Sequence, residues 1–192
     1  MFNVVEDFYD PSDLGLVTLN FLNLPFHPVH QPSNIYYSDR TKAYPCYETN
    51  KFFKSLSPTD PVGLFKKTFE NKTNLKIISL QTFFRKTILD ELKKAPSWKQ
   101  YRTHKDSEMF DLAGVIYFNS NSLKDGTYIY NKMDDYEPTT IIGSRCNRAV
   151  FYSTQQPHCA SVEQEVKERW VQPFFVVYKQ ETYDMYKDNY ET

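Results

Sequence analysis

The sequence predicts an α+β fold, mainly β, with N-terminal helices packed on one face of an antiparallel β-sandwich or jelly roll. Three observations predict it. The chain holds 15 Tyr and 15 Phe among 192 residues but only 5 Gly, and aromatic and β-branched side chains suit a pleated, half-buried surface. Helical start signals and spacing fall before residue 74. Beyond it, β-branched and aromatic runs follow one another over short connections, and helices followed by a run of strands is the α+β order.

Taken in order, "FNVV" reads as a short strand. "DPSDLGLVTLNFLNL" carries a Pro-Ser-Asp start, with Leu14, Val17 and Leu22 near helical spacing. Residues 25–35, "PFHPVHQPSNI", contain three prolines and read as loop. "SPTDPVGLFKKTFENK" reads as a second helix, capped by Thr59 or Asp60 with Pro61 at its first position. "LKIISLQTFFRKT" reads as one strand, and "ILDELKKAPSWKQYR" as a helical turn and loop. "LAGVIYFN" and "TYIYN", separated by the turn "SNSLKDG", read as a hairpin. "NRAVFYS" is a further strand and "RWVQPFFVVYK" the last, where Pro173 suggests a bulge or a sheet edge. The charged tail "QETYDMYKDNYET" is expected to fray.

One domain spanning 1–192 is expected at this length, with a core large enough to form without staples. No G-x-G-x-x-G and no G-x-x-x-x-G-K-S/T occurs, which disfavours Rossmann and P-loop enzymes. The net charge of −1 announces neither a nucleic-acid nor a membrane surface. Lys51, Lys54, Lys66 and Lys67 read as solvated surface. Cys46, Cys146 and Cys159 fit neither a disulfide framework nor a metal knuckle, so a reducing, cytoplasmic location is expected. No signal peptide or membrane-length apolar stretch is seen.

The chemistry concentrates in "THKDSEMFDLAGVIYFN". In an extended segment His104 and Asp106 share one face, so both can enter one site. His158, after the turn "TQQP", is the third ligand a jelly roll would bring beside them. His27 and His30, in the Pro-rich loop, read as exposed. Two histidines and one carboxylate suit a non-haem Fe(II) centre with open positions; the same set suits a hydrolytic zinc, with Cys159 a conceivable fourth ligand. Arg169 and Tyr117 bear on the choice. An inward Arg and Tyr would grip a distant carboxylate, which a 2-oxoacid cosubstrate has and a zinc hydrolase does not need.

The ordered set "HKD", "IYFN", "DGT", "PHCAS" and "RWVQPFFV" resembles the 2-oxoglutarate/Fe(II)-dependent dioxygenase superfamily, in its prolyl 4-hydroxylase-like branch. The whole chain is similar to small oxygenase-like proteins of bacteria and tailed phages. The resemblance covers about residues 74–180 and implies a double-stranded β-helix supported by the N-terminal helices. It implies Fe(II) on His104, Asp106 and His158, 2-oxoglutarate with its far carboxylate on Arg169 and Tyr117, and hydroxylation of a peptide or small molecule. Asp106 favours hydroxylation over halogenation, since halogenating relatives replace that carboxylate. The chain departs from the pattern at Asp125-Gly126, where many relatives have two glycines, and at Val171, where some branches have a Ser whose place Tyr117 would take. Lys105, between the ligands, is expected to point away from the metal. The rival readings are a zinc hydrolase on the same scaffold and a non-catalytic jelly-roll binding or structural module, viral ones included.

Overall fold

The structure, a computed structural model, describes residues 2–28, 46–52, 54–55, 57–94, 103–161 and 167–190. Its elements are β1 (Phe2–Val5), α1 (Pro11–Asn23), β2 (His27–Pro28), β3 (Tyr47–Glu48), α2 (Pro61–Thr73), β4 (Ser79–Thr82), β5 (Arg85–Ile88), α3 (Leu89–Lys94), β6 (Leu112–Tyr117), β7 (Ser122–Ile129), β8 (Thr140–Ser144), β9 (Ala149–Ser153), β10 (His158–Ser161), β11 (Glu168–Val177) and α4 (Gln180–Tyr186). The large sheet runs β1-β9-β6-β11-β5-β3-β2, with β4 also on β11, and the small sheet runs β10-β7-β8. Every pairing is antiparallel. This is the mainly β, jelly-roll architecture that the sequence predicts.

Both helices begin where proline sets the first turn. In α2, Asp60 Oδ1 accepts from the Gly63 N–H at 2.7 Å, which satisfies one orphan donor of the first turn. The helix stops at Asn74, whose φ of 59° is left-handed. The buried positions of α1 are Asp13, Val17 and Phe21; Leu22, expected to face the core, is exposed, and the stripe is set one residue earlier. Asp13 is buried because Lys67 of α2 reaches it at 2.9 Å.

These helices cover the outer face of the large sheet. Val17, Phe21, Phe65 and Phe69 pack with Phe84, Phe151, Phe174 and Val176 in one core. Gly114 is required here, because a Cβ would strike the Phe174 ring. A second core lies between the sheets and joins Tyr117, Val150, Tyr152 and Val171 to Ile129 and Ile142 of the small sheet. Side chains alternate along a strand, so odd-numbered residues of β11 face this interior and even-numbered ones face the helices.

Several expectations are corrected. "LKIISLQTFFRKT" forms two strands, β4 and β5, both paired to β11. β6 and β7 are not a hairpin, since they belong to different sheets. The "turn" SNSLKDG is largely strand: an irregularity between Ser122 and Gly126 in the β7–β8 pairing hides its period. β8 has no counterpart among the strands that the sequence predicts. Pro173 marks neither a bulge nor an edge. It lies mid-sheet, opposite Phe83 in the single register that β4 and β5 share on β11, and the ladder breaks there because proline has no N–H to donate. Its carbonyl accepts from Thr82 Oγ1 at 2.9 Å and Phe83 N at 3.3 Å. The tail forms α4 and a 3-10 turn, Lys187–Asn189. Asp111 anchors it by accepting from Tyr178 N, Lys179 N and Thr182 Oγ1, and Tyr190 is buried beside Phe110. His27 lies exposed on β2, whereas His30 falls outside the described residues, as do Trp98 and Tyr101 of the stretch read as helical turn and loop. No helix among the described residues is long and apolar enough to cross a membrane.

Candidate metal centre and anion site

Backbone pairing brings the H-x-D segment to the small sheet. His104 and His158 exchange N–H···O bonds of 2.9 and 3.0 Å, and Asp106 N donates to Thr154 O at 2.9 Å. His104 thus adds a fourth edge position beside β10, and its alternation with Asp106 puts both side chains on one side. Lys105 between them is exposed.

One donor atom from each of His104, Asp106 and His158 lies within 4.8 Å of the others. The two carboxylate oxygens face different imidazoles: Asp106 Oδ1 is 3.9 Å from His104 Nε2, and Oδ2 is 3.4 Å from His158 Nε2. His158 Nδ1 is 2.9 Å from Gln156 O. A donor is required opposite a carbonyl, so Nδ1 carries the proton and the Nε2 lone pair is left facing Asp106. Burial holds the His158 pKa down to about 4, which keeps the ring neutral as a ligand must be. Burial also pushes Asp106 up to about 6, against the pull of His104 and Arg85; a carboxylate so desolvated is stabilised by a bound cation. The donor set and its electrostatics fit a first-row divalent metal. Cys159 stands apart, with its Sγ 3.4 Å from the Tyr130 hydroxyl.

The other sequence-predicted residues meet further along the interior. Arg169 is 4% exposed. Its guanidinium carbon is 5.3 Å from the Tyr117 ring centroid, and Nη2 donates to Gly126 O at 3.2 Å. Its Nε has no hydrogen-bond partner, and neither has Oγ1 of Thr87, the residue directly opposite on β5. Two orphaned polar atoms side by side in a buried site are costly unless a ligand satisfies them. Tyr117, fully buried, places its hydroxyl 2.7 Å from Thr127 Oγ1. Tyr152 links the two groups. Its ring lies 4.3 Å from that of His158, and its phenol, raised well above the usual range by burial, feels both Asp106 and Arg169.

Sequence reasoning missed Thr87, Thr127 and Tyr152. The Gly-Thr pair did carry a signal. A Cβ on Gly126 would overlap Ile142 O, so only glycine brings β7 this close to β8 and presents the carbonyl that holds Arg169. Thr127 then fixes the Tyr117 hydroxyl. Thr87, one threonine among many in a strand, carried none.

No family model and no curated protein sequence matches the chain. Solved structures do. An oxidoreductase of the 2OG-Fe(II) oxygenase family from Burkholderia pseudomallei superposes with a TM-score of 0.61 at 9% identity, over 93% of this chain and 86% of that one. The fold is that of the 2-oxoglutarate/Fe(II) oxygenases. A prolyl-4-hydroxylase from Pseudomonas putida matches at TM-score 0.59 and 11% identity, over 93% and 92% of the two chains. HygX from Streptomyces hygroscopicus, with nickel, 2-oxoglutarate and hygromycin B bound, matches at 0.54 and 10%, over 93% and 83%. Along β7, His158 lies opposite Ile129 and Arg169 bonds to Gly126 three residues earlier.

Proposed function

We propose that this chain, one domain over 1–192 with its β-helix core at about 74–180, is an Fe(II)- and 2-oxoglutarate-dependent dioxygenase that hydroxylates a peptide or small molecule. The observation that carries the reading is a convergent His-Asp-His donor group sharing the sheet interior with a buried arginine whose Nε is orphaned. His104, Asp106 and His158 would hold Fe(II). Arg169, Thr87 and Tyr117 would hold the far carboxylate of 2-oxoglutarate through charge-assisted and hydroxyl hydrogen bonds. When bound, the pair activates dioxygen, releases succinate and CO2 and oxidises a C–H bond of the substrate.

The chain's own residues prepare that chemistry. The Gln156 carbonyl fixes the His158 tautomer, and Asp106 presents one oxygen to each imidazole. Gly126 and Thr127 hold Arg169 and Tyr117 in place before any ligand arrives, which lowers the ordering cost of binding. Val171, Ile129 and Ile142 keep the surroundings apolar. The prolyl-4-hydroxylase and HygX share the fold, which supports the same cofactor pair here, and the free thiols of Cys46, Cys146 and Cys159 support a cytoplasmic setting.

Anaerobic titration with Fe(II) and 2-oxoglutarate tests the reading. A visible metal-to-ligand charge-transfer band that requires both additions is expected, and that is lost in His158→Ala. A protein that retains zinc and whose metal spectra ignore 2-oxoglutarate would be a hydrolase instead, and one that binds no metal a non-catalytic module.

A further inference from the structure

Five tyrosines are buried among the described residues: Tyr9, Tyr117, Tyr130, Tyr152 and Tyr190. A buried phenol ordinarily finds a partner for its hydroxyl. Four of the five do: Tyr9 on Gln172, Tyr117 on Thr127, Tyr130 on Cys159 and Tyr190 on the Met109 carbonyl. Tyr152 is the exception. Among the described residues no hydrogen bond reaches its hydroxyl. Nor is that hydroxyl sealed in, as Thr87 Oγ1 and Arg169 Nε are; it opens onto space.

The surroundings fix where that space lies. Tyr152 belongs to the core between the sheets, and its ring rests against the His158 ring at 4.3 Å and 41°. The phenol lies within electrostatic reach of Asp106 at the donor group and of Tyr117 and Arg169 at the anion site. At the same level of the large sheet, β6 and β11 present Ala113 and Phe175, whose side chains offer no hydrogen bond. The Tyr152 hydroxyl is thus an unused donor between the metal ligands and the anion site.

We infer that Tyr152 grips the metal-side end of the cosubstrate, its hydroxyl donating a hydrogen bond to the 2-oxo-carboxylate group of 2-oxoglutarate. The inference rests on the dioxygenase reading, which assigns only the far carboxylate, to Arg169, Thr87 and Tyr117. A ligand held by those residues at one end and directed to the His-Asp-His group at the other passes the Tyr152 hydroxyl. Its near end is an anion that only accepts hydrogen bonds, and a phenol is a neutral donor at physiological pH. The chain therefore reads the two ends differently, by charge at the far one and by an uncharged O–H at the near one.

Tyr152→Phe keeps the ring on His158 and removes only the hydroxyl. Anaerobic titration of the Fe(II) protein with 2-oxoglutarate, followed by the charge-transfer band, should give an affinity about tenfold or more below wild type. The band should move to shorter wavelength, because a hydrogen bond that lowers the energy of the accepting orbital is gone. Two controls isolate the near end. Fe(II) affinity should match wild type. So should the affinity of the metal-free protein for butanoate, measured by saturation-transfer difference NMR, since this acid has the far carboxylate and no 2-oxo end. Unchanged 2-oxoglutarate affinity and band position would overturn the inference and leave the dioxygenase reading intact. Equal weakening of 2-oxoglutarate and butanoate, or lost Fe(II) affinity, would also overturn it, reducing Tyr152 to packing for His158. A wild-type protein that shows no band would remove the reading and the inference together.

Discussion

The two faces of β11 are built on opposite terms. Toward the helices, Phe174 and Val176 are fully buried, and even the polar residue there is satisfied: Gln172 accepts from the Tyr9 hydroxyl at 2.8 Å and donates to Thr82 Oγ1 at 3.1 Å. Toward the small sheet the same strand carries Arg169 with an unpaired Nε, opposite Thr87 with an unpaired hydroxyl. One face has completed its contacts within the chain, and the other holds polar groups in readiness. Saturation marks the face that stabilises, and selective lack of it marks the face that binds.

The outer face should give the largest response. Phe174 packs on Phe65 at 4.7 Å and also meets Phe69 and Phe151. Phe174→Ala should destabilise the fold by about 3–5 kcal/mol, read as a lower urea midpoint. A loss below about 1 kcal/mol would mean that the outer face is no more completed than the inner one. Arg169→Ala should behave in the contrary way. It removes a buried charge that has no ion pair among the described residues, so the urea midpoint should hold or rise. Yet 2-oxoglutarate affinity should fall on the order of a hundredfold, since charge-assisted bonds contribute about 1.5–3 kcal/mol each. Fe(II) affinity should stay nearly unchanged.

Cys46, buried with its Sγ 3.9 Å from Glu48 Oε1, tests how closed the interior is beside the Arg85–Glu48 ion pair. Burial pushes its thiol up to about 12 from 9.0. The folded state keeps its proton while the unfolded state ionises, so this residue's contribution to stability is lost as pH rises from about 9 toward 12. At pH 8 the native thiol should alkylate roughly a hundredfold or more slowly than the urea-unfolded one, as followed by peptide mass spectrometry. Comparable rates would show that region open. The smallest effect is expected from Thr87→Val. It deletes an unsatisfied hydroxyl, so stability should not drop, while 2-oxoglutarate affinity should fall by about threefold to tenfold. Unchanged affinity would leave Arg169 and Tyr117 as the whole anion site.

Much of this was legible in the sequence, for identifiable reasons. Asp60-Pro61 announces α2 because cap and first turn are local chemistry. β6, β9 and β11 announce themselves by dense apolar runs. His104, Asp106, His158 and Arg169 stand out because their residue types are few and their order is distinctive. What stayed hidden depends on partners far along the chain. Pro173 stands mid-sheet, and the only trace it leaves is the break between β4 and β5 opposite it. The bulge in β7 erases the alternation that would have revealed a strand and suggested a false hairpin. Leu22 and Phe21 compete for one helix face, and packing against Phe84 and Trp170 decides for Phe21. Thr87 becomes conspicuous only when Arg169 lies across from it.

The reciprocal backbone bonds between His104 and His158 make the donor group part of the small sheet's own edge. A cation gripped by both imidazoles would therefore clamp two strands together as well as occupy a site. Opening that edge would require releasing the ion, so metal affinity adds directly to the free energy of local opening. The amide protons of His104 and His158 become a built-in gauge. Their solvent-exchange rates should slow in proportion to metal occupancy, while amides in the middle of β6, already shielded on both sides, should register nothing.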